Sequence, residues 1–232
     1  MTQTPIPVVS IDGPGASGKG TLARALAERL GWYCLDSGLA YRGLAWVLAH
    51  EHEGRIDEET VRRGLDNLRF EDVTKRWHLF LGSRDLTAEL GGEDLGELAS
   101  RVAARPEVRA RLLPLQRACL RRPGLVAEGR DMGTVVFPEA RLKVFLIASP
   151  EIRAERRWRQ LSASGVRVNL DALTEAIRTR DRRDCGRETA PLRPAEGAFV
   201  LDSTERTVGD LVTEVLDRLG GMGLPGGENE RT

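Results

Sequence analysis

Lysine, cysteine and aromatic side chains are scarce in this chain of 232 residues, and charge of one sign does not dominate. The 35 basic and 35 acidic residues give a formal net charge of +0, and aromatic residues make up 5%. A nucleic-acid-binding module needs a net basic surface and stacking rings, so this composition argues against one. Apolar residues make up 41%, which is too many for a disordered chain and enough for one α/β core.

The three cysteines, Cys34, Cys119 and Cys185, lie far apart and in no metal-ligand spacing. Isolated thiols of this kind are typical of reduced cytosolic proteins, where disulfides are rare. Residues 1–7 lack the basic region and apolar run of a signal peptide, and no apolar stretch approaches the length that spans a bilayer. We therefore expect a cytoplasmic protein that does not enter a membrane, and we expect it to be a monomer.

Only three of the basic residues are lysines, at positions 19, 75 and 143, and the others are arginines. Arginine grips phosphate in a planar, two-pronged geometry, whereas lysine acts as a point charge. The excess of arginine is therefore consistent with phosphate binding. The base composition of the genome explains it equally well.

Short apolar runs rich in β-branched residues alternate with segments of helical apolar spacing. The predicted strands are residues 6–11, 32–35, 125–127, 142–148 and 199–201. Predicted helices follow the first two at residues 21–30 and 39–50, and the last helix begins at Thr207 with Asp210 completing a capping pattern. This alternation predicts an α/β fold with a doubly wound parallel sheet and right-handed crossovers.

Two segments interrupt the alternation. Residues 65–100 have a strand-like and hairpin-like pattern, which predicts a small antiparallel β insertion. Its predicted strands are residues 68–70, 77–81 and 86–90. Residues 153–169 form an arginine-rich helix that runs into a Ser/Gly loop, and we expect this region to be a short mobile lid. Residues 220–232 are Gly-rich and polar, which predicts a disordered tail.

Residues 13–19 match the P-loop pattern G-x-x-x-x-G-K, directly after a predicted strand and directly before a predicted helix. Backbone N–H groups of such a loop, together with the helix N-terminus, wrap a triphosphate, so the side chains must be small. Lys19 would neutralise the β- and γ-phosphates. The predicted ATP-binding residues are Gly13, Pro14, Gly15, Ala16, Ser17, Gly18, Lys19, Gly20 and Thr21.

The residue after the lysine departs from the general motif. Gly20 stands where a magnesium-binding Ser or Thr usually follows, and Thr21 comes one position later. We expect Mg²⁺ to accompany ATP. The sequence leaves open whether Thr21 contacts the ion directly, through water or not at all.

Polar residues follow each predicted strand of the sheet, where open α/β sheets bind ligands. After the P-loop these are residues 36–38, 128–131, 149–150 and 202–204. Arginines come close behind three of the five strands, and two charged sets share helix faces, namely Arg153, Arg156 and Arg157, and Arg180, Asp184 and Arg187. A solvated surface is the usual explanation for such sets. Beside a P-loop they would neutralise the phosphates that phosphoryl transfer brings together.

More than one class of protein combines a P-loop with charged strand ends. One class is the P-loop kinases that act on a small molecule such as adenylate, shikimate or gluconate. The other is a switch protein that binds GTP, but such proteins read the base with an N-K-x-D stretch, which this sequence lacks.

Six stretches of the sequence resemble bacterial cytidylate kinases, which belong to the nucleoside monophosphate kinases. They are residues 11–21, 35–42, 99–109, 128–138, 180–192 and 201–204, and the run GRDMGTVVFP within the fourth is highly specific. The resemblance implies a core with a five-stranded parallel sheet (residues 1–64 and 101–219), a monophosphate-binding insertion (65–100) and a lid (153–169). It implies transfer of the γ-phosphate of ATP to CMP or dCMP.

The resemblance also implies roles for individual residues. The acceptor phosphate and its surroundings would be contacted by Ser37, Gly38, Arg42 and Arg130. The edge of the cytosine base would be recognised by Ser100, Arg109 and Asp131. The ribose, the phosphate or a further part of the base would be contacted by Arg180, Asp184 and Arg187. The catalytic set is Lys19, Arg130, Arg153 and Arg157, the last two as lid residues that close on the transferring phosphate. Gly91-Gly92 stands where members of the family have an Arg-Thr pair, so the resemblance does not carry over a contact made by that arginine.

Overall fold

The computed structural model describes residues 5–163 and 165–223, which fold around a single sheet. The strands are β1 (Val8–Asp12), β2 (Tyr33–Asp36), β3 (Leu68–Val73), β4 (Arg76–Leu81), β5 (Arg84–Asp85), β6 (Leu125–Gly129), β7 (Leu142–Ile147) and β8 (Phe199–Asp202). Their order is β3-β4-β2-β6-β1-β7-β8, with β5 paired to β4. Strands β2, β6, β1, β7 and β8 run parallel, which confirms the expected five-stranded parallel core.

Helices connect the parallel strands. They are α1 (Lys19–Leu30), α2 (Gly38–Glu51), α3 (Glu58–Asp66), α4 (Glu93–Val102), α5 (Pro106–Arg117), α6 (Pro150–Ala163), α7 (Leu170–Cys185) and α8 (Val208–Gly220). A π-helical turn covers Met132–Val136 after β6. The capping pattern predicted for the last helix is confirmed, because the Thr207 hydroxyl accepts from the Asp210 N–H and the Asp210 carboxylate accepts from the Thr207 N–H.

The apolar core lies on both faces of the sheet. Every residue of β1 is buried, as expected for a central parallel strand. One core cluster joins Ile11 and Leu26 to Val215 of α8, and another joins Leu44 of α2 to Leu79 of β4. Packing of α1 and α2 against the sheet fixes the loops at the carboxyl ends of β1 and β2, where the polar residues lie.

The insertion is only partly the β structure that the sequence predicts. Strands β3 and β4 form the expected antiparallel hairpin, and β4 joins the core sheet beside β2. The strand predicted over residues 86–90 is wrong: a 3₁₀ turn covers Thr87–Glu89. The Asp85 carboxylate accepts from the Thr87 N–H, and this Asx turn ends the strand.

The last part of the insertion is the helix α4. Leu95, Leu98, Ala99 and Val102 recur at helical spacing, and all four pack into the core cluster around α2. The strand-like interpretation of residues 93–100 is therefore wrong.

The described part of the lid segment consists of most of α6 and of residues 165–169, which lead into α7 at Leu170. The predicted tail begins at Gly220, the last residue of α8, and residues 224–232 lie outside the described part of the chain. Among the described helices, none has the length and apolar character needed to cross a membrane.

Candidate active site

The P-loop, residues 13–18, connects β1 to α1. At Gly13 a Cβ atom would lie 2.2 Å from the backbone oxygen of Leu146 in β7, so only glycine fits between the two strands. The Ser203 hydroxyl, at the end of β8, donates to the Ser17 carbonyl at 2.8 Å. Neighbouring strand ends therefore hold the loop in place.

Lys19 is the first residue of α1 and points toward the end of β6. Its Nζ lies 3.6 Å from Glu128 Oε2 and donates to the Pro14 carbonyl at 3.4 Å. Burial, with the nearby charge of Arg130, lowers the pKa of Lys19. Burial, with the neighbouring Asp36 carboxylate, raises the pKa of Glu128. The site thus holds a buried lysine beside two carboxylates.

A cavity of about 180 Å³ opens beside Lys19; it is called the acceptor cavity below. All ten residues predicted to bind the acceptor line its wall: Ser37, Gly38, Arg42, Ser100, Arg109, Arg130, Asp131, Arg180, Asp184 and Arg187. They come from the ends of β2 and β6 and from α2, α4, α5, α7 and the loop after α7. The structure therefore brings together residues that are up to 150 positions apart in the sequence.

One side of the acceptor cavity presents a buried guanidinium and a buried carboxylate. Arg109 donates to Asp131 and, at 3.0 Å, to the Ala103 carbonyl. Its guanidinium also lies 5.4 Å from the centre of the Tyr41 ring. The Ser100 hydroxyl is buried and finds no hydrogen-bond partner among the described residues. A polar ligand would satisfy these groups.

Another side of the acceptor cavity holds three guanidiniums around one carboxylate. Arg130 Nε donates to Asp184 at 3.0 Å, and Arg187 Nη1 lies 3.9 Å from the same carboxylate. Burial, with the charge of Arg130, lowers the pKa of Arg180 to about 10. Arg180 Nε and Arg187 Nη2 are buried without a partner among the described residues. This excess of positive charge suits an anionic ligand.

A second, larger cleft of about 730 Å³ adjoins the first and extends from the P-loop to α4, α6 and α7. Lys19, Arg42, Arg130 and Arg180 line both spaces, so the same cations face a ligand in either. Arg157, from α6, lines this cleft and forms an ion pair with Glu93 of the insertion.

Arg153 and Thr21 lie elsewhere. The Arg153 side chain is buried and lines neither space, and its Nη1 donates at 3.1 Å to both the Gly15 carbonyl and Asp181. Thr21 is exposed on the first turn of α1 and also lines neither space. Of the other P-loop residues, Gly15 and Ala16 line the cleft.

Asp12, which lines neither space, is a supporting residue that the sequence analysis did not single out. Its two carboxylate oxygens accept from the Met132 and Gly133 N–H groups, each at 2.8 Å. Burial raises the pKa of Asp12 to about 6. Asp12 therefore ties the P-loop to the turn that follows Arg130. The signal in the sequence is an acid at the end of a mostly apolar strand, directly before the P-loop.

Known proteins resemble this chain over nearly its whole length. The family model described as "Cytidylate kinase" matches residues 9–220. The cytidylate kinase of Methylococcus capsulatus is 49% identical over 213 residues, covering 90% of this chain and 95% of the relative. The cytidylate kinase of Bordetella bronchiseptica is also 49% identical, over 214 residues, covering 91% and 94%.

Among solved structures, an uncharacterized protein from Eubacterium ventriosum superposes with a TM-score of 0.54 at 10% identity, covering 94% of this chain and 99% of that one. At this identity the likeness concerns the fold alone. The family model and the curated relatives cover nearly the whole chain, and they agree with the resemblance carried by the P-loop and the GRDMGT stretch. This chain belongs to the cytidylate kinase family.

Proposed function

We propose that the protein transfers the γ-phosphate of ATP to CMP and dCMP, giving ADP and CDP or dCDP in pyrimidine nucleotide metabolism. The observation that supports this most strongly is the position of Lys19, which lies in the P-loop and lines both the acceptor cavity and the adjoining cleft. Membership of the cytidylate kinase family points to the same reaction.

The acceptor cavity divides by chemistry into two parts. Arg42 and Arg130 line both the acceptor cavity and the adjoining cleft, as Lys19 does, and together with Ser37 of the cavity they suit the acceptor phosphate. Ser100, Arg109 and Asp131 offer donors and acceptors for the cytosine edge, because cytosine presents an amino group beside an acceptor nitrogen. We assign the ribose and its surroundings to Arg180, Asp184 and Arg187. Gly38 is assigned to the phosphate.

Phosphoryl transfer needs alignment and neutralisation of charge more than covalent help from the protein. An oxygen of the CMP phosphate attacks the γ-phosphorus, and the bond to the bridging oxygen breaks as ADP leaves. Lys19, Arg130 and Arg157 supply positive charge to the transferring group, and Arg157 must leave Glu93 to do so. The contact between Arg153 and Gly15 supports a positioning function for Arg153, through the P-loop.

Magnesium suits the oxygen donors of this site. Mg²⁺ takes one or two carboxylates together with phosphates and water, and Asp36 and Glu128 lie in the acceptor cavity beside Lys19. Thr21 is exposed and lines neither space, which argues against a direct contact between its hydroxyl and the ion. When bound with ATP, the ion neutralises the β- and γ-phosphate oxygens.

We also propose a monomeric, cytoplasmic enzyme. Residues of one chain line both the cavity and the cleft, so the proposed chemistry needs no second copy. Cys34, Cys119 and Cys185 are free thiols, and the first two are buried, as suits a reducing compartment.

A thermal-shift panel tests the acceptor. CMP and dCMP are expected to raise the melting temperature, because a ligand that binds only the folded state stabilises it. AMP, UMP and shikimate are expected to raise it less at the same concentration. A larger shift with AMP or shikimate than with CMP contradicts the proposal.

A further inference from the structure

Asp12 is the last residue of β1, and it directly precedes Gly13, the first residue of the P-loop. Its side chain is buried against the turn after β6, where its two oxygens accept from the N–H groups of Met132 and Gly133. Each bond is 2.8 Å long, so both oxygens hold the turn. A carboxylate that accepts from two consecutive backbone donors fixes both the distance and the orientation of the two segments.

The two segments joined by this carboxylate carry different parts of the site. The P-loop follows Asp12 and suits a triphosphate, whereas Arg130 and Asp131 directly precede Met132 and line the acceptor cavity. Asp12 also pairs in register with Gly129, the residue before Arg130. The link therefore joins the P-loop to the acceptor residues at positions adjacent to both.

Arg130 shows how close the two parts of the site lie. Its side chain lines both the acceptor cavity and the adjoining cleft, and a Cβ atom at Gly15 of the P-loop would lie 3.5 Å from its Nη2. Phosphoryl transfer depends on the separation and alignment of the reacting groups, and a misplacement of about 1 Å can cost about a hundredfold in rate. A small change in the distance between the P-loop and Arg130 would therefore slow the reaction.

We propose that Asp12 is a positioning residue for phosphoryl transfer: through its two hydrogen bonds it sets the distance between the P-loop, which holds ATP, and the backbone that carries Arg130 and Asp131 to the acceptor. This inference rests on the proposed kinase function. Asp12 lines neither the cavity nor the cleft, so it acts through the backbone and not by contact with a nucleotide.

Two simpler functions of Asp12 give different results when the residue is changed. If Asp12 only stabilises the fold, its loss lowers the melting temperature, but the folded enzyme transfers phosphate at the parent rate. If Asp12 acts only through its negative charge, any acid at this position preserves the rate. A positioning residue gives a third result, because each nucleotide alone still binds with nearly its usual affinity while transfer between them slows.

The transfer step is measured as the single-turnover rate with CMP and ATP–Mg²⁺ both saturating, which separates it from product release. Calorimetry gives the Kd of CMP alone and of a non-hydrolysable ATP analogue alone. Asp12→Asn keeps the shape of the side chain but turns an NH₂ group toward one of the two backbone donors. Its transfer rate is expected to fall about ten- to hundredfold, with each Kd within about threefold of the parent value.

Asp12→Glu tests the distance directly. It keeps the negative charge and both acceptor oxygens, but it lengthens the side chain by one methylene group in a place where Asp12 is only 3% exposed. The turn must then move relative to β1, because a packed core does not absorb an extra methylene group without a shift. The transfer rate is expected to fall about tenfold or more although the charge is retained.

The matched control is Ser10→Ala. Ser10 is also a buried residue of β1 and faces the same turn, because a Cβ atom at Gly133 would lie 2.8 Å from its Oγ. That hydroxyl has no hydrogen-bond partner among the described residues, so its removal breaks no bond between β1 and the turn. The control is expected to keep the parent transfer rate and both Kd values.

A parent-like transfer rate in Asp12→Asn or in Asp12→Glu overturns the inference. A Kd for either nucleotide alone that weakens by as large a factor as the rate falls overturns it as well. Melting curves identify a variant that does not fold, and the other variant then decides.

Failure of this inference can be told apart from failure of the proposed function. A parent protein that phosphorylates CMP no faster than its Asp12 variants leaves the kinase assignment intact and removes Asp12 from the positioning of the phosphates. A parent protein that transfers no phosphate to CMP contradicts the kinase assignment itself.

Discussion

The guanidinium of Arg109 donates to the carboxylate of Asp131, and both side chains are more than nine-tenths buried in the wall of the acceptor cavity. Each therefore holds the other in a fixed orientation before a ligand arrives. Arg109 can only donate and an ionised Asp131 can only accept, so the pair presents one donor and one acceptor edge to a base. Cytosine matches that order and uracil reverses it.

Arg109→Met and Ser100→Ala are expected to narrow the preference for CMP over UMP. Facing uracil, the parent leaves buried polar groups unpaired at about 1–3 kcal/mol each, so two mismatches give a preference on the order of a hundredfold. The measurement is kcat/KM for both nucleotides in each variant. Arg111→Met, on the exposed face of the same helix, is the control. An unchanged CMP/UMP ratio in both variants would show that selectivity lies elsewhere.

Lys19→Ala is expected to fold and to lose turnover by a factor on the order of 10²–10³, as removal of one preorganised group that stabilises the transition state commonly costs. The assay is ADP formation with saturating CMP, beside a melting curve. Lys75→Ala is the control, because Lys75 is exposed and donates to Gly31, away from the cavity. Near-normal turnover of Lys19→Ala contradicts the function given to Lys19.

The insertion and the lid are expected to close on each other when both nucleotides bind. One ion pair already joins them, between Arg157 of the lid and Glu93 of the insertion. A second ion pair, between Arg183 of α7 and Glu97, ties the insertion to the core. Closure that waits for the acceptor keeps water from the γ-phosphate. Hydrogen exchange with CMP plus a non-hydrolysable ATP analogue should show more protection in residues 65–100 and 153–163 than either ligand gives alone. Equal protection with one ligand or two argues against closure.

Asp12 is expected to make the free energy of unfolding fall as pH rises from about 4 to 6. Burial raises its pKa from 3.8 to about 6, so the native protein binds this proton more tightly than the unfolded chain does. A tenfold difference in proton affinity is worth about 1.4 kcal/mol, giving up to about 3 kcal/mol across this range. Other carboxylates change the free energy of unfolding in the opposite direction over this pH range. The contribution of Asp12 is therefore measured as the difference between the parent and the variant Asp12→Asn.

Denaturant unfolding of the parent and of Asp12→Asn at pH 4.5 and 6.5 isolates this contribution. The stability advantage of the parent over Asp12→Asn should be larger at the lower pH. A constant difference at the two pH values would show that the Asp12 carboxyl has the same pKa in the native and the unfolded protein.

The parts of the site that sequence could predict are those set by local pattern or by sheet geometry. The P-loop is contiguous, and parallel strands bring their carboxyl ends to one edge, so residues after β2 and β6 had to meet the loop after β1. Helix α4 was missed because it follows a hairpin closely, although Leu95, Leu98 and Val102 have helical spacing.

Partners far apart in the sequence could not be predicted. The place of Arg153 depends on Asp181 and on the Gly15 carbonyl, 138 residues away, which turn its guanidinium toward the loop. Glu128 was recognised as part of a strand end, but its ion pair with Lys19 exists only once β6 lies beside β1. Ion pairing between distant segments follows from topology and packing, which local pattern does not encode.

The most direct test of the proposed reaction is an assay of the purified protein with ATP, Mg²⁺ and one nucleoside monophosphate at a time, measured as ADP formed. CMP and dCMP are predicted to give kcat/KM values on the order of a hundredfold or more above that of UMP, whose base reverses the donor and acceptor pattern that the cavity matches. Phosphorylation of AMP or UMP at least as efficient as that of CMP would contradict the proposed function.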